Sequence, residues 1–453
     1  MSTERQESKL IRNLGFGDLM AIAIGQIIGA GIMSSTGVAI GMTGTGVVLA
    51  FLVSPFLTII SIFPIAILSS AAPTTGGPYR YCSRLVSKEF GIIYLLLHIT
   101  SYSVAVSQYA LSFGSYFASI VPKADQHMVA MVILTLFFGM NLVGTKSAAI
   151  LNKIITIALF GGLFLFIAFG LPKTDIGYVM NTQNLFLNGP LAFVSTLALL
   201  SSATAGAQTI AELGGETKDA GRTIPRVMVF STFGVGVFYV LIALVAAGVL
   251  PIDQVANQPL TLVAKETMPG IAFYLFVIGA ALGATSSTLN ATLAWVTKPV
   301  LVACDDRLLP QSLGTVSKSG VPYKILTLFY IIGMVPLLAR RDISFITKFT
   351  TANSLLAKLF VCVALFALAV KYSDILKKSA MKISPGAAKV FAVTGMAVLC
   401  VLSYSLFMNL SFVVIAFLVS LVILTMIYTM VFTKHVTIEK DLIVDYTTID
   451  KEE

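Results

Sequence analysis

The chain has 453 residues, of which 57% are hydrophobic and only 11% are charged. This charged fraction is less than half of the roughly 25% found in ordinary soluble domains, and it excludes a single water-soluble core. The formal net charge of +9 is not gathered into a basic patch, so we expect no nucleic acid partner; in so apolar a chain it indicates basic loops at a membrane surface.

Stretches without charged residues divide the chain into predicted membrane helices of about 20 residues each. The first stretch, residues 19–79, holds two helices separated by a glycine-rich turn at residues 41–46, and the last, residues 390–433, holds two more. We predict single helices near residues 90–121, 126–145, 148–171, 189–213, 226–250, 269–303, 323–339 and 343–370. The sequence therefore predicts an all-α polytopic membrane protein with twelve transmembrane helices.

The lysines and arginines predict how these helices are oriented. If the N-terminus is cytoplasmic, most of the 30 basic residues fall in cytoplasmic segments, and those on the opposite face are Lys123, Lys173, Lys265, Arg340 and Arg341. By the positive-inside rule, this asymmetry places both termini, residues 1–16 and 434–453, in the cytoplasm. We therefore expect a multi-pass protein of the cell (inner) membrane, surrounded by membrane lipid.

Two of the predicted helices contain segments that disfavour a continuous helix. Helix 1 carries GQIIGAGIM at residues 25–33, and each of its three glycines destabilises a helix by about 0.5 to 1 kcal/mol relative to alanine. Helix 6 carries the small and hydroxylated run SSATAGAQ at residues 201–208. Close helix packing through small residues is the alternative explanation for either segment alone. Because the two helices are five apart, we favour a five-plus-five inverted repeat with discontinuous helices 1 and 6.

This architecture assigns residues 17–171 to the first repeat, residues 189–371 to the second, and residues 388–433 to two additional C-terminal helices. Interrupted helices expose unpaired N–H groups on one half and carbonyls on another, so backbone alone can hold an anionic carboxylate and a cationic amine near the membrane midplane. A zwitterionic amino acid fits that arrangement. The sequence has no P-loop and no metal-binding motif, so we expect no enzymatic activity and no metal or other cofactor.

Four segments resemble motifs of the amino acid/polyamine/organocation (APC) permeases, and they occur in the same order. The helix 1 motif is similar to IIGAGI at residues 27–32, and the loop between helices 2 and 3 is similar to PTTGGPYRY at residues 73–81. The loop after helix 6 resembles ETKDAGRTIPR at residues 216–226, and the loop after helix 8 resembles DDRLLP at residues 305–310. The resemblance implies a secondary active transporter, a permease or exchanger, that moves amino acids or related amines by alternating access.

The resemblance also implies a binding site. The substrate carboxylate is expected to meet the N–H groups that follow Gly29, those of Ala30, Gly31 and Ile32. The substrate amine is expected to meet the carbonyls of Ile27, Ser202 and Ala205. An aromatic residue of helix 6 commonly closes this site in the family, but Ser202 stands at that position here. Either the pocket accepts a larger substrate or another helix supplies the gate.

Three positions of the chain bear on coupling to a proton. Many family members have a glutamate where this chain has Gln208, and proton-coupled members often have a helix 5 lysine where it has Leu159. Lys358, in the middle of predicted helix 10, is the remaining candidate, because an unpaired charge there costs at least about 2.5 to 3.5 kcal/mol. Alternatively, Lys358 faces a water-filled vestibule or snorkels. Gln208 is also a candidate substrate-binding residue, and Gln108 and Thr292 are candidate side-chain contacts to the substrate.

A membrane sensor or a channel built on the same helices is the alternative function. A sensor is disfavoured because the tail that follows residue 431 is short, and a channel because rings of charge are not evident.

Overall fold

The computed structural model describes residues 14–74, 76–143, 148–317, 320–408 and 410–438. Within these ranges the regular structure is helical, apart from an isolated β-bridge between Leu14 and Thr217. The α-helices of the described residues are α1 (Phe16–Ile27), α2 (Ala30–Thr43), α3 (Val47–Ala71), α4 (Gly77–Leu85), α5 (Lys88–Ile120), α6 (Gln126–Val143), α7 (Ala148–Gly170), α8 (Ile176–Met180), α9 (Thr182–Leu185), α10 (Gly189–Ala203), α11 (Ala220–Gly248), α12 (Ile252–Val255), α13 (Thr261–Thr267), α14 (Gly270–Leu275), α15 (Gly283–Trp295), α16 (Lys298–Asp305), α17 (Tyr323–Leu338), α18 (Ile343–Lys371), α19 (Ser373–Lys378), α20 (Pro385–Phe407) and α21 (Phe412–Phe432).

Three 3₁₀ segments and one π-helical segment lie between α-helices of the described residues. Short 3₁₀ segments at Gly44–Gly46 and Leu171–Lys173 connect longer helices. A longer 3₁₀ segment, Gly206–Glu216, follows α10 in the chain. A π-helical segment, Phe276–Leu282, joins α14 to α15, and such segments change the rotational setting of the helix that follows.

The described residues contain ten helical segments that are long and apolar enough to cross a membrane. Two shorter apolar helical stretches, Ala158–Lys173 and Tyr323–Leu338, accompany them. Large apolar side chains, among them Phe164, Val237 and Phe412, are more than half exposed on the outside of the bundle. A surface of this kind suits lipid, and helices satisfy their backbone groups without water. The chain is therefore a multi-pass membrane protein.

Both segments that were expected to interrupt a helix do so. Helix α1 ends at Ile27 and α2 begins at Ala30, so Ile28 and Gly29 form a non-helical link. Helix α10 ends at Ala203, and the 3₁₀ segment begins at Gly206. The symmetry that would relate the two halves as inverted repeats, and the exact twelve-helix layout, stay predictions.

The two interruptions pack directly against each other. A Cβ atom on Gly206 would meet the backbone of Gln26 and Ile27, and a Cβ on Gly31 would lie 3.1 Å from the carbonyl oxygen of Ala203. Glycine is therefore required for this close approach, because any side chain would separate the two backbones.

Helix α5 is the central element beside the interruptions. It contacts α6, α15, α17 and α18, and its middle turns carry buried polar residues that include Ser107 and Gln108. On the far side, α3 and α11 cross where Gly236 lies against the ring of Pro55. Helices α5, α15 and α18 enclose a space together with the two interruptions.

Candidate functional site at the helix interruptions

A cavity of about 100 Å³ lies where the two interrupted helices meet α5, α15 and α18. The interruptions contribute Ile27, Gly31, Ser202, Ala205 and Gln208 to its wall. The other three helices contribute mainly hydroxyl, amide and aromatic side chains, among them Tyr102, Gln108, Thr288, Thr292, Trp295, Thr350 and Ser354. Among the residues that the structure describes, none in this wall carries a charged side chain.

Hydroxyl groups from neighbouring helices fix the backbone at both interruptions. The Tyr239 hydroxyl of α11 donates to the carbonyl of Ile27 at 2.6 Å. The Thr58 hydroxyl of α3 donates to the carbonyl of Ser201 at 2.9 Å. Both hydroxyl-bearing residues are fully buried. Such buried bonds hold a non-helical backbone in one conformation and so prepare it for a ligand.

The start of α2 presents N–H groups near the cavity. Gly29 is the N-cap and has no side chain that could accept from the first turn. The first N–H groups of a helix lack partners within the helix and carry partial positive charge. This end of α2 can therefore receive an anionic group without a basic side chain.

Three carbonyls were predicted to bind an amine, and each already accepts one hydrogen bond. Ile27 accepts from the Tyr239 hydroxyl, Ser202 from the N–H of Ala205 at 3.2 Å, and Ala205 from the N–H of Gln208 at 3.3 Å. A carbonyl oxygen has two lone pairs, so each can accept a second donor. The arrangement is therefore compatible with an amine.

The other predicted site residues take different positions. Gln108 and Thr292 line the cavity, and Gln108 accepts a hydrogen bond from the Thr350 hydroxyl at 2.8 Å. Gly29 does not line the cavity but lies against the Thr288 side chain. The side chain of Ile32 is buried in the apolar core, and that of Ala30 lies outside the described side chains. For Ile32 only a backbone role is therefore left.

Aromatic residues that sequence reasoning did not place in the site close one side of it. The rings of Trp295 and Tyr102 meet edge to face, with centroids 4.8 Å apart. The ring centroids of His98 and Tyr102 are also 4.8 Å apart, and Nε2 of His98 is 3.1 Å from the carbonyl oxygen of Val296. A signal was available, because Trp295 is the only tryptophan of the chain. Helices α5 and α15, rather than helix 6, thus supply aromatic side chains at the cavity.

A second, smaller cavity of about 40 Å³ adjoins the first and shares with it Ser101, Tyr102, Gln208, Thr209, Trp295 and Ser354. Lys358, the predicted coupling residue, lines this second cavity and is 4% exposed. Glu212, which is 6% exposed, lines it as well. Sequence reasoning overlooked Glu212, although a carboxylate within predicted helix 6 was a visible signal. The second cavity therefore contains two ionisable groups of opposite charge.

A buried ion pair lies farther along the same side of the protein. The Arg84 guanidinium of α4 donates to both carboxylate oxygens of Asp306, at 2.6 and 2.7 Å, and the Tyr79 hydroxyl donates to the same carboxylate at 2.8 Å. Burial raises the pKa of Tyr79, and the charge of Asp306 raises it further. Burial lowers the pKa of Arg84, but the hydrogen bonds and charge of Asp306 outweigh it and keep that pKa above its ordinary value. This network joins α4 to the end of α16.

Comparison with known proteins agrees with this architecture. A family model described as "Amino acid permease" matches residues 14–440, nearly the whole chain. The chain belongs to the amino acid permease family. It is 27% identical over 455 residues to the branched-chain amino acid permease BcaP of Bacillus subtilis, with 95% of each chain covered.

Two further relatives of this permease are also transporters by name. The amino-acid permease RocE of Bacillus subtilis is 26% identical over 77% of this chain and 76% of its own length. Cationic amino acid transporter 1 of Arabidopsis thaliana is 26% identical over 80% of this chain and 63% of its own length. The family and these relatives are transporters rather than enzymes, and they support a role in amino acid transport.

Proposed function

We propose that this permease is a secondary active transporter that moves amino acids across the cell membrane by alternating access, with both termini in the cytoplasm. The observation that carries the proposal is the cavity between the two interrupted helices, whose wall has no charged side chain among the described residues. A zwitterion needs both of its charges neutralised in such a place. Backbone groups at helix ends are the charges that remain for this role.

In the proposed complex, the carboxylate accepts from the N–H groups of Ala30, Gly31 and Ile32, at the uncapped start of α2. The amine donates to the second lone pairs of the carbonyls of Ile27, Ser202 and Ala205. The substrate side chain then points toward the part of the cavity wall that contains Gln108, Thr292 and Trp295. This orientation leaves the substrate side chain to be read by α5, α15 and α18.

Lys358 is proposed to connect transport with a proton. Its Nζ atom is buried and has no hydrogen-bond partner among the described residues. A substrate acceptor near Lys358 would favour the ammonium form, so substrate binding and proton binding would assist each other.

The proposal is tested with purified protein in liposomes preloaded with unlabelled amino acids. We expect saturable uptake of at least one labelled amino acid that is accelerated by the same amino acid inside. Uptake by none of the twenty amino acids above empty liposomes would contradict the proposal.

A variant locates the site in the same assay. Ser202 lines the cavity, so Ser202→Trp adds an indole to that space and should exclude large substrates more strongly than alanine. Leu191→Trp on the same helix is the matched control, because residue 191 is 52% exposed on the outside of the bundle. Equal loss of large and small substrates in Ser202→Trp would argue against this placement.

A further inference from the structure

Four residues that line the second cavity each have a buried polar atom without a hydrogen-bond partner among the described residues. These atoms are Gln208 Oε1, Glu212 Oε2, Trp295 Nε1 and Lys358 Nζ. Two of these atoms are acceptors and two are donors. Leaving such groups unpaired is costly, so their presence on four residues around one cavity points to an occupant that pairs with them.

We propose that the second cavity is a subsite for the end of the substrate side chain, and that it selects a neutral carboxamide, the group of glutamine. This inference rests on the proposed function. A carboxamide carries one acceptor oxygen and one NH₂ donor. The oxygen accepts from Lys358 and Trp295, while the NH₂ group donates to Glu212 and Gln208.

Charge disfavours ionised side chains. Glu212 and Lys358 both line the cavity, and Lys298 also acts electrostatically on the Glu212 carboxylate. A cationic side chain would pair with Glu212 but would lie beside Lys358 without an acceptor for that ammonium. An anionic side chain would pair with Lys358 but would face Glu212. Unbalanced charge is costly in a space shielded from water, so a neutral dipolar group is favoured.

Geometry and size agree with the same group. Gln208 and Trp295 line both cavities, so a side chain that leaves the first cavity passes them on entering the second. The second cavity has about 40 Å³, and one water needs roughly 10 to 15 Å³ by this measure, so it holds about three heavy atoms. A carboxamide has three heavy atoms. An apolar leucine side chain would leave all four polar atoms unpaired.

The test measures equilibrium binding of labelled glutamine, leucine, lysine and glutamate to the purified full-length protein at one pH. We expect glutamine to bind at least about tenfold more tightly than the other three. Equal or tighter binding of leucine would overturn the subsite, and so would preference for lysine or glutamate. Binding of none of the four would also overturn the subsite, whereas the proposed function fails only if none of the twenty amino acids is taken up by the liposomes.

Variants show whether the named atoms cause the preference. Trp295→Phe removes one N–H donor, and Glu212→Met removes the carboxylate; each should reduce the ratio of glutamine to leucine affinity by at least about fivefold. Glu212→Gln keeps an acceptor oxygen and should retain most of the ratio. Ile62→Val, a buried change on α3 outside both cavities, is the control for altered packing. Thermal unfolding confirms that each variant is folded, and an unchanged ratio in folded Trp295→Phe and Glu212→Met would overturn the proposal.

Discussion

Three glycines at the interruptions set the distance between two backbones, and each has a different neighbour. Gly206 lies against the backbone of Gln26 and Ile27, and Gly31 lies against Ala203. Gly29 lies against the side chain of Thr288 instead. A neighbouring side chain can be changed by mutation, whereas a neighbouring backbone cannot. Gly29 is therefore the position where the role of close approach can be separated from general misfolding.

Gly29→Ala should weaken substrate binding roughly tenfold, because an overpacked contact costs about 1 to 3 kcal/mol. The added methyl group would meet the Thr288 hydroxyl and push α15 away from the start of α2. Removing that hydroxyl in Gly29→Ala/Thr288→Ala should restore most of the affinity in an equilibrium binding assay. Gly25→Ala is the matched control, since a Cβ at residue 25 has nothing within 4 Å. A double variant as weak as the single one would show that contact with Thr288 is not the cause.

Lys358 should govern the pH dependence of transport, with affinity falling as the pH rises and the ammonium form is lost. Lys358→Met keeps the apolar stem but cannot ionise, so uptake should become nearly independent of pH while exchange of substrate for substrate continues. Uptake is measured between pH 5 and 9 in liposomes, roughly the range in which buried lysines can titrate. The titratable groups that face Lys358 or lie beside it are Tyr94, His98, Tyr102, Glu212 and Cys362.

Lys348→Met is the control for this experiment, because Lys348 lies on the same helix but outside both cavities. A pH profile that persists in Lys358→Met would remove this lysine from coupling and direct attention to Glu212.

At the scale of elements, the Arg84–Asp306 pair connects helix α4, which precedes α5, to the residue that follows α16. Its side chains are 8% and 9% exposed, so the pair is shielded from water. In contrast, the Arg222–Asp219 pair is about 60% exposed at both residues, with a distance of 3.8 Å. Exposed pairs contribute little, whereas breaking a buried pair leaves an uncompensated charge. The buried pair is therefore the contact that holds these two elements together.

Asp306→Asn should loosen the link between α4 and α16 and expose residues beneath it. Cys304, only 2% exposed, lies two residues before the substituted position and reports on this change. We expect its reaction with a water-soluble maleimide, followed by peptide mass spectrometry, to become at least about fivefold faster, because an unpaired buried arginine disfavours the closed contact. Asp219→Asn is the matched control and should not alter the rate. An unchanged rate in Asp306→Asn would show that the ion pair does not shield Cys304 from water.

At the scale of the whole molecule, the distribution of basic residues predicts one orientation in the membrane. The Arg84–Asp306 network lies on loops that the distribution of lysine and arginine assigns to the cytoplasm. The loop around Asp125, between α5 and α6, is assigned to the opposite side. The backbone N–H of Met128 and the nearby Arg340 lower the pKa of Asp125, so this carboxylate stays ionised at neutral pH.

Reporter fusions test this orientation. Green fluorescent protein fused after Glu453 should fluoresce, and alkaline phosphatase fused at the same position should be inactive, because both results require a cytoplasmic C-terminus. Alkaline phosphatase fused after Asp125 should be active. The reverse pattern would contradict the predicted orientation and would place the buried ion pair on the outer side.

The sequence by itself determined the features that depend on local composition. Charge-free stretches predicted the positions of helices such as α5, α6 and α18 to within a few residues, because membrane spanning requires a fixed apolar length. Glycine and small residues predicted where helices 1 and 6 are interrupted, because their effect on the backbone is local. These features were sufficient for the membrane class and, with the motif resemblance, for the family.

Only the tertiary structure decided which side chains share a cavity. Trp295, Glu212 and Lys358 lie on three elements far apart in sequence, and they meet because of how each helix is rotated about its axis. That rotation follows from packing contacts, such as that of Gly206 with the backbone of α1, and from the π-helical segment before α15. Hydropathy records neither feature. The sequence could therefore place Lys358 within a membrane helix, but it could not show that Glu212 faces the same space.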